Sequence, residues 1–399
     1  MLVVACAATA STLSPRFVNL STDDGLSDNN VEAIVQDFQG FLWLGTSNGL
    51  NRYDGRELKV YRYDPDDPAS LSGNFVLTLL VDRQGTLWAG ARGLNRYVRE
   101  TDTFERFVND EADVRSLGDN NVHAMAEDPT GRLWIGTFWG LNLLNAEDGT
   151  FTRYEPVPED PGAGPSGPRV RAVRASRDGI IWVGVQDGGL NRFDPATQRF
   201  VHYRHDPDDP SSLASDNVWD IFEDSAGSLW VATHRGLHRL DRESETFERY
   251  LHDPADPGSL PGDRTDAIFE DSRGLLWVAT DGAGLAFRQI GEEARWTSLR
   301  REASDPKSLA SDVVRTIFED RIGDLWIGTY DGGVSFYNPD SSVFAVERQV
   351  ENQADGLSDS RVLSFYQDEP DLDPHAGEAL WVGTEGGLNL WNRADGTFK

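Results

Sequence analysis

Seven positions spaced 45 to 49 residues apart carry Glu32, Leu77, His123, Arg171, Trp219, Asp266 and Arg315, and Leu363 continues the series. A second series reads Asn48, Arg92, Phe138-Trp139, Gln186-Asp187, His234-Arg235, Asp281, Tyr330-Asp331 and Glu385. Guanidinium donors, carboxylate acceptors and aromatic faces in one place would suit a small polar ligand, and a sugar would use all three. The candidate contacts are Phe138, Trp139, Arg171, Trp219, His234, Arg235, Asp266, Asp281, Arg315, Tyr330 and Asp331. Phe138-Trp139 stands out, because two large aromatics in an exposed turn cost solubility unless they touch something. Against this, loop residues vary wherever nothing constrains them. The same carboxylates could instead meet in pairs for acid–base chemistry.

Other chemistries find little support. The seven His residues are scattered without an HExxH pair, and Cys6 is the single cysteine, so neither a zinc cluster nor an intrachain disulfide is expected. No metal and no cofactor are expected. Lys plus Arg is 37 and Asp plus Glu is 67, giving a formal charge of −30 that repels phosphate backbones and argues against nucleic acid.

The elements that position these residues repeat. "FLWLGTSNGLNRYDG" (Phe41 to Gly55) has seven further relatives, whose tryptophans are Trp88, Trp134, Trp182, Trp230, Trp277, Trp326 and Trp381. With Trp43 they are spaced 45, 46, 48, 48, 47, 49 and 55 residues apart, a period that indicates a solenoid, propeller or array. Recurrence makes these tryptophans packing residues. Each copy opens with a branched, aromatic run such as "VEAIVQD", which reads as a buried strand. A D-x-x-G turn follows, as at Asp37 to Gly40, although the fourth copy has Ser176 in place of Asp. Then come the L-W-x-G-T strand, the GLNRY strand, a weaker TFERF strand and an Asp/Pro-rich linker. Four short antiparallel strands per repeat make the blade of an all-β propeller. The innermost strand lines a central channel, and both variable series fall on one mouth of it. Gly45 is expected to let neighbouring sheets approach.

"GLSDNNVEAIVQDFQGFLWLGTSNGLNRYDG" resembles the two-component regulator propeller repeat, and the likeness covers Phe17 to the C-terminus. That resemblance implies the extracytoplasmic sensor region of a hybrid two-component kinase or a diguanylate cyclase, often with two seven-bladed rings. It also implies an immunoglobulin-like domain, a membrane helix and an output domain, which would lie beyond Lys399. Hybrid relatives commonly sense oligosaccharides, so the expected partner is a small ligand, with a homodimer in the full receptor. The rival readings are a protein-docking propeller and a propeller lyase.

"RFVNL" (Arg16 to Leu20) reads as a lone fourth strand that closes the ring. "DGLSDNNV" at Asp24 is echoed by "DGLSDSRV" at Asp355, which makes the eighth copy look like another first blade. Three segments are therefore expected: 1–15 as an export-signal remnant, 16–340 as a seven-bladed ring, and 341–399 as the first, incomplete blade of a second ring. The alternative is one eight-bladed ring. Ala8-Thr9-Ala10 would be a cleavage site, and Val3 to Cys6 resembles a lipobox that would lipidate Cys6. Both point to a periplasmic or other extracytoplasmic location.

Overall fold

A computed structural model describes residues 15–291, 295–339, 357–359, 361–366, 379–392 and 397–398. The expected cleavage site, the Cys6 lipobox and much of the expected second-ring segment 341–399 lie outside these residues. The protein is all-β, as expected: the described residues form eight four-stranded sheets, each antiparallel and, in all but one, sequential in strand order. Contacts divide the chain into residues 1–339 and 340–399.

In the first unit seven sheets surround an axis. Their innermost strands are Val31–Gln36, Thr78–Val81, Val122–Glu127, Val170–Ala175, Val218–Glu223, Thr265–Glu270 and Val314–Glu319. Each neighbours the next, and the seventh neighbours the first. The exceptional sheet is blade 7, whose fourth strand comes from the other end of the chain: Val18–Leu20 pairs antiparallel with Val334–Phe336. Phe17 fixes this closure by burying its ring against Tyr337 and donating its N–H to the Lys307 carbonyl.

The D-x-x-G turn and the tryptophan prove to be one device. Asp37 Oδ1 accepts the backbone N–H groups of Gln39 and Phe41, while Oδ2 accepts the Trp43 indole N–H at 2.9 Å. The same indole bond joins Asp82 to Trp88, Asp128 to Trp134, Asp224 to Trp230, Asp271 to Trp277 and Asp320 to Trp326, all at 2.8–3.0 Å. In blade 4, Ser176 cannot reach, and the buried Trp182 Nε1 has no partner. The seven repeat tryptophans of the ring, Trp43 to Trp326, are all buried, as packing residues should be.

Blades meet closely. A Cβ added to Gly45 would lie 2.9 Å from Val76 of the next blade, and one added to Gly184 would lie 2.6 Å from Val218. At the opposite face a carboxylate or amide at the end of the innermost strand accepts the turn N–H of the preceding blade. Examples are Arg83 N to Glu127, Ser272 N to Glu319 and, across the closure, Arg321 N to Gln36.

The second unit contributes one sheet, with strands Val362–Tyr366, Ala379–Thr384, Gly387–Asn392 and Thr397–Phe398. Its innermost strand is exposed throughout, Leu363 at 68% and Phe365 at 65%.

The indole bond gives a direct prediction. Trp134→Phe and Trp182→Phe remove the same atoms, but only the first abandons a buried carboxylate. Denaturant unfolding should show Trp134→Phe more destabilising by about 2 kcal/mol. Equal losses would mean that the turn bond contributes nothing.

Candidate functional site

In six of the seven blades of the ring the innermost strand begins with a register slip. Val31 pairs with Thr46 and Ala33 with Gly45, leaving Glu32 unpaired. The same slip skips His123, Arg171, Trp219, Asp266 and Arg315. Such bulges re-aim a side chain, and here they turn out the residues of the first variable series. Blade 2 has no slip, and Leu77 donates directly to the Gly90 carbonyl.

These residues form one chain of contacts across the mouth. The His123 ring stacks on Phe138 with centroids 4.4 Å apart. The Arg171 guanidinium lies 4.9 Å from the Phe138 centroid and 5.0 Å from that of Trp219. Arg264 covers Trp219 at 4.6 Å and pairs with Asp266 at 3.0 Å and with Asp281. Arg315 pairs with Asp266 and faces the Tyr330 ring at 5.3 Å. Seven of the expected contacts therefore converge: Phe138, Arg171, Trp219, Asp266, Asp281, Arg315 and Tyr330.

Four expected contacts do not join them. Trp139 is half exposed and turned away from its neighbour Phe138, which packs inward on His123. His234 and Arg235 are exposed, and their recorded bonds are backbone turn bonds to Asn217 and Thr233. Asp331 is exposed at positive φ, with its N–H on Asn30. In blades 3 and 7 the second turn residue points away or serves the turn while the first, Phe138 or Tyr330, meets the channel; in blade 5 neither residue joins the cluster.

Sequence reasoning missed Arg169 and Arg264, which sit one residue before the leading Val-type position. That position reads Asn30, Phe75, Asn121, Arg169, Asn217, Arg264 and Val313, a third variable series that comparison of the copies could have found. It also missed Asp220, which stands where other blades carry Ala or Thr. Its carboxylate accepts Ile221 N and, across the blade interface, Ile268 N, both at 2.8 Å.

The electrostatics are uneven. Arg264 and Arg315 are ion-paired to Asp266, which is 6% exposed at its side chain. Arg171 has no carboxylate: it donates to Gln186 Oε1 at 2.9 Å and lies 3.2 Å from His123 Nδ1. Burial, then the Arg169 and Arg264 charges, lower its pKa. Burial raises Glu32 and Asp266 against the pull of the arginines. His123 is pushed down to about 3 by burial and by Arg171, so it is neutral at physiological pH. Asp220 is raised to about 6 by burial. Among the described residues no three His, Cys, Asp or Glu side chains converge as metal ligands. Asp266 and Asp281 at the mouth are held by Arg264 and Arg315 and suit hydrogen bonding to a ligand better than proton transfer.

A second concavity, a groove of about 980 Å³, crosses blade 2 on the same face and begins at Leu77.

Several known proteins resemble this chain. A profile of the two-component regulator propeller family matches residues 25–48, 70–93, 116–139, 212–235, 259–282 and 308–331. Each match runs from the end of a linker to the turn after the tryptophan strand. Histidine kinase P4 of Formosa agariphila is 46% identical over 56 residues, 14% of this chain and 4% of that protein. Two extracellular domains assigned to hybrid two-component systems of B. thetaiotaomicron share the fold. One has a TM-score of 0.71 at 23% identity, covering 96% of this chain and 54% of that one. The other has a TM-score of 0.65 at 19% identity, covering 96% and 53%. The chain thus spans about half the length of these structures. Virginiamycin B lyase of Staphylococcus aureus has a TM-score of 0.56 at 15% identity, covering 81% and 97%, a likeness of fold alone. Among the described residues no helix is long and apolar enough to cross a membrane.

The pKa of His123 sets a pH dependence. A folded value depressed below the unfolded 6.5 gives stability that is complete above pH 6.5 and lost as pH falls toward 3. Asp220, raised, acts in the opposite direction, losing its contribution as pH rises through about 6. It is common to wild type and variant. His123→Gln should therefore lose about 2 kcal/mol less stability than wild type between pH 7 and pH 5 in urea unfolding. Parallel losses would contradict a neutral, buried His123.

Proposed function

We propose that this chain, whose blades are two-component regulator propeller repeats, is the extracytoplasmic ligand-reading part of a signalling receptor. The channel mouth binds a small polar ligand, and an oligosaccharide fits its chemistry best. The observation that carries this reading is the convergence of the six bulged residues. The scaffold positions around them repeat from blade to blade, while these six differ and still meet in one cluster. Trp219 offers an aromatic face between two guanidinium groups, and its buried indole Nε1 has no partner. Glu32, Asp266 and Asp281 supply acceptors.

A rigid ring transmits little by itself, so the signal passes as a change in packing between rings or chains. A ligand shifts such an equilibrium only through unequal affinity for the two arrangements. The second unit supports this. Its exposed innermost strand is what a first blade presents before neighbours cover it, so we read 341–399 as the start of a second ring. The membrane helix and output domain follow in the longer receptor, which works as a homodimer.

Catalysis by a propeller lyase is the weaker alternative, because Asp266 is tied to two arginines rather than free to move a proton.

Calorimetry of the 399-residue chain against oligosaccharide fragments of plant and algal polysaccharides should give saturable heat without product. Arg171→Gln and Trp219→Ala should each weaken binding about tenfold or more, equivalent to at least about 1.4 kcal/mol, while Trp139→Ala and His234→Ala leave it unchanged. Binding indifferent to Arg171 and Trp219 would remove the mouth as the site, and product release would favour the lyase.

A further inference from the structure

The groove over blade 2 exists because blade 2 breaks the repeat twice. It lacks the register slip, and its innermost strand is two residues shorter, with pairing that begins at Thr78 opposite Gly90. Its turn between the second and third strands is also one residue short. Arg92 alone separates Leu87–Ala91 from Gly93–Val98, whereas Ser47 and Asn48 separate the corresponding strands of blade 1. The rim is lowered there, and a channel of about 980 Å³ opens across the face from Leu77 outward. That is near the upper end of the roughly 300–1,000 Å³ range of small-molecule sites. Ala91 and Arg92 form the floor, and the linkers entering blades 2 and 3 form the walls.

The wall chemistry divides the ring. In the linkers entering blades 5, 6 and 7, Asp216, Asp263 and Asp312 accept a backbone N–H from the residue that follows the fourth strand or lies one beyond it. The linker entering blade 1 uses Asn29 for the same bond, and the two groove linkers use Asn74 and Asn120, to Tyr63 N at 2.7 Å and Asn109 N at 2.8 Å. The amide oxygen does the scaffold's work, and neither Nδ2 group has a hydrogen-bond partner among the described residues. The Arg92 guanidinium likewise makes no bond to the described residues. Tyr63 and Phe75 are 43% and 48% exposed at this groove, and Arg106 backs the Tyr63 ring at 5.4 Å. Asp119 is the single carboxylate of the lining, and its Oδ1 already accepts from Asn121.

We propose that this groove is a second binding site, separate from the channel mouth, for a neutral oligosaccharide. Two open aromatic rings suit the C–H faces of pyranose rings. Surplus amide donors and one free guanidinium suit hydroxyl and ring oxygens. With one already engaged carboxylate, the groove offers no charge pair that a cationic or zwitterionic ligand would need. The one-residue turn fits a linear chain, because it leaves the groove open along its length.

The test uses the 399-residue chain with cellotetraose, xylotetraose, laminaritetraose, mannotetraose and maltotetraose at millimolar concentration, read by saturation-transfer NMR and calorimetry. At least one should bind. Phe75→Ala and Tyr63→Ala should each weaken it about tenfold, the loss of one stacking face, with His234→Ala unchanged. Both aromatic side chains are half exposed, and an unchanged melting curve verifies each variant's fold. The proposal falls if none of the five binds, or if binding survives both aromatic substitutions. It also falls if binding is lost with Arg171→Gln and kept with Phe75→Ala, an outcome that preserves the mouth as the ligand site. The reverse pattern supports the groove and leaves the mouth to be judged on other ligands.

Discussion

The ring depends on one close contact. A glycine in the second strand of a blade, Gly45 or Gly184 for example, lies against the leading valine of the next blade, with no room for a Cβ between them. That contact sets the spacing between sheets and brings the starts of seven innermost strands to a common axis. Blades 5 and 6 place Ala232 and Ala279 at this position, both fully buried, so the smallest side chain is tolerated where the neighbour adjusts. Everything at the mouth follows. Because the leading residues are fixed, the residue after each can be bulged out of the ladder at no cost to the blade interface. A scaffold that repeats seven times thereby carries a set of side chains that need not repeat.

Much of the fold was legible in the sequence for the same reason. The tryptophan period, the D-x-x-G turns and the closing strand at Arg16 to Leu20 are each fixed by backbone and packing demands that recur. The bond between the turn Asp and the indole was not read, because the two residues were assigned separate tasks; Trp182, orphaned opposite Ser176, is the exception that shows the link. At the site, comparison between copies found Arg171, Trp219, Asp266 and Arg315, since variation against a constant frame marks positions freed from the scaffold. It also pointed to Trp139, His234, Arg235 and Asp331, which the structure places outside that cluster, because spacing does not say which turn residues face the channel. Arg169 and Arg264 escaped because they precede the strand. The groove escaped because it arises from a missing residue, and an absence draws less notice than an unusual side chain.

The charge pattern links the site to function. The chain is strongly acidic overall, with a formal charge of −30, yet four arginines gather at the mouth. Two are neutralised by Asp266 and Asp281, and Arg171 rests on Phe138 and Trp219 beside a His123 that stays neutral. A guanidinium held between aromatic faces and an amide is ready to exchange those partners for a ligand's oxygens. The ion-paired side, by contrast, fixes the geometry of the acceptors. The mouth thus divides into a rigid half in blades 6 and 7 and a half with spare donors in blades 3 to 5.

The central claim is that this mouth, and Trp219 within it, reads the ligand. Indole N–H signals of the ¹⁵N-tryptophan-labelled chain, assigned by single Trp→Phe replacements, test it most directly. Addition of a binding oligosaccharide should move the Trp219 signal, whose Nε1 has no partner in the free protein, and leave those of Trp43, Trp134 and Trp230 in place. A ligand that binds and shifts other indoles while Trp219 stays fixed would contradict the account.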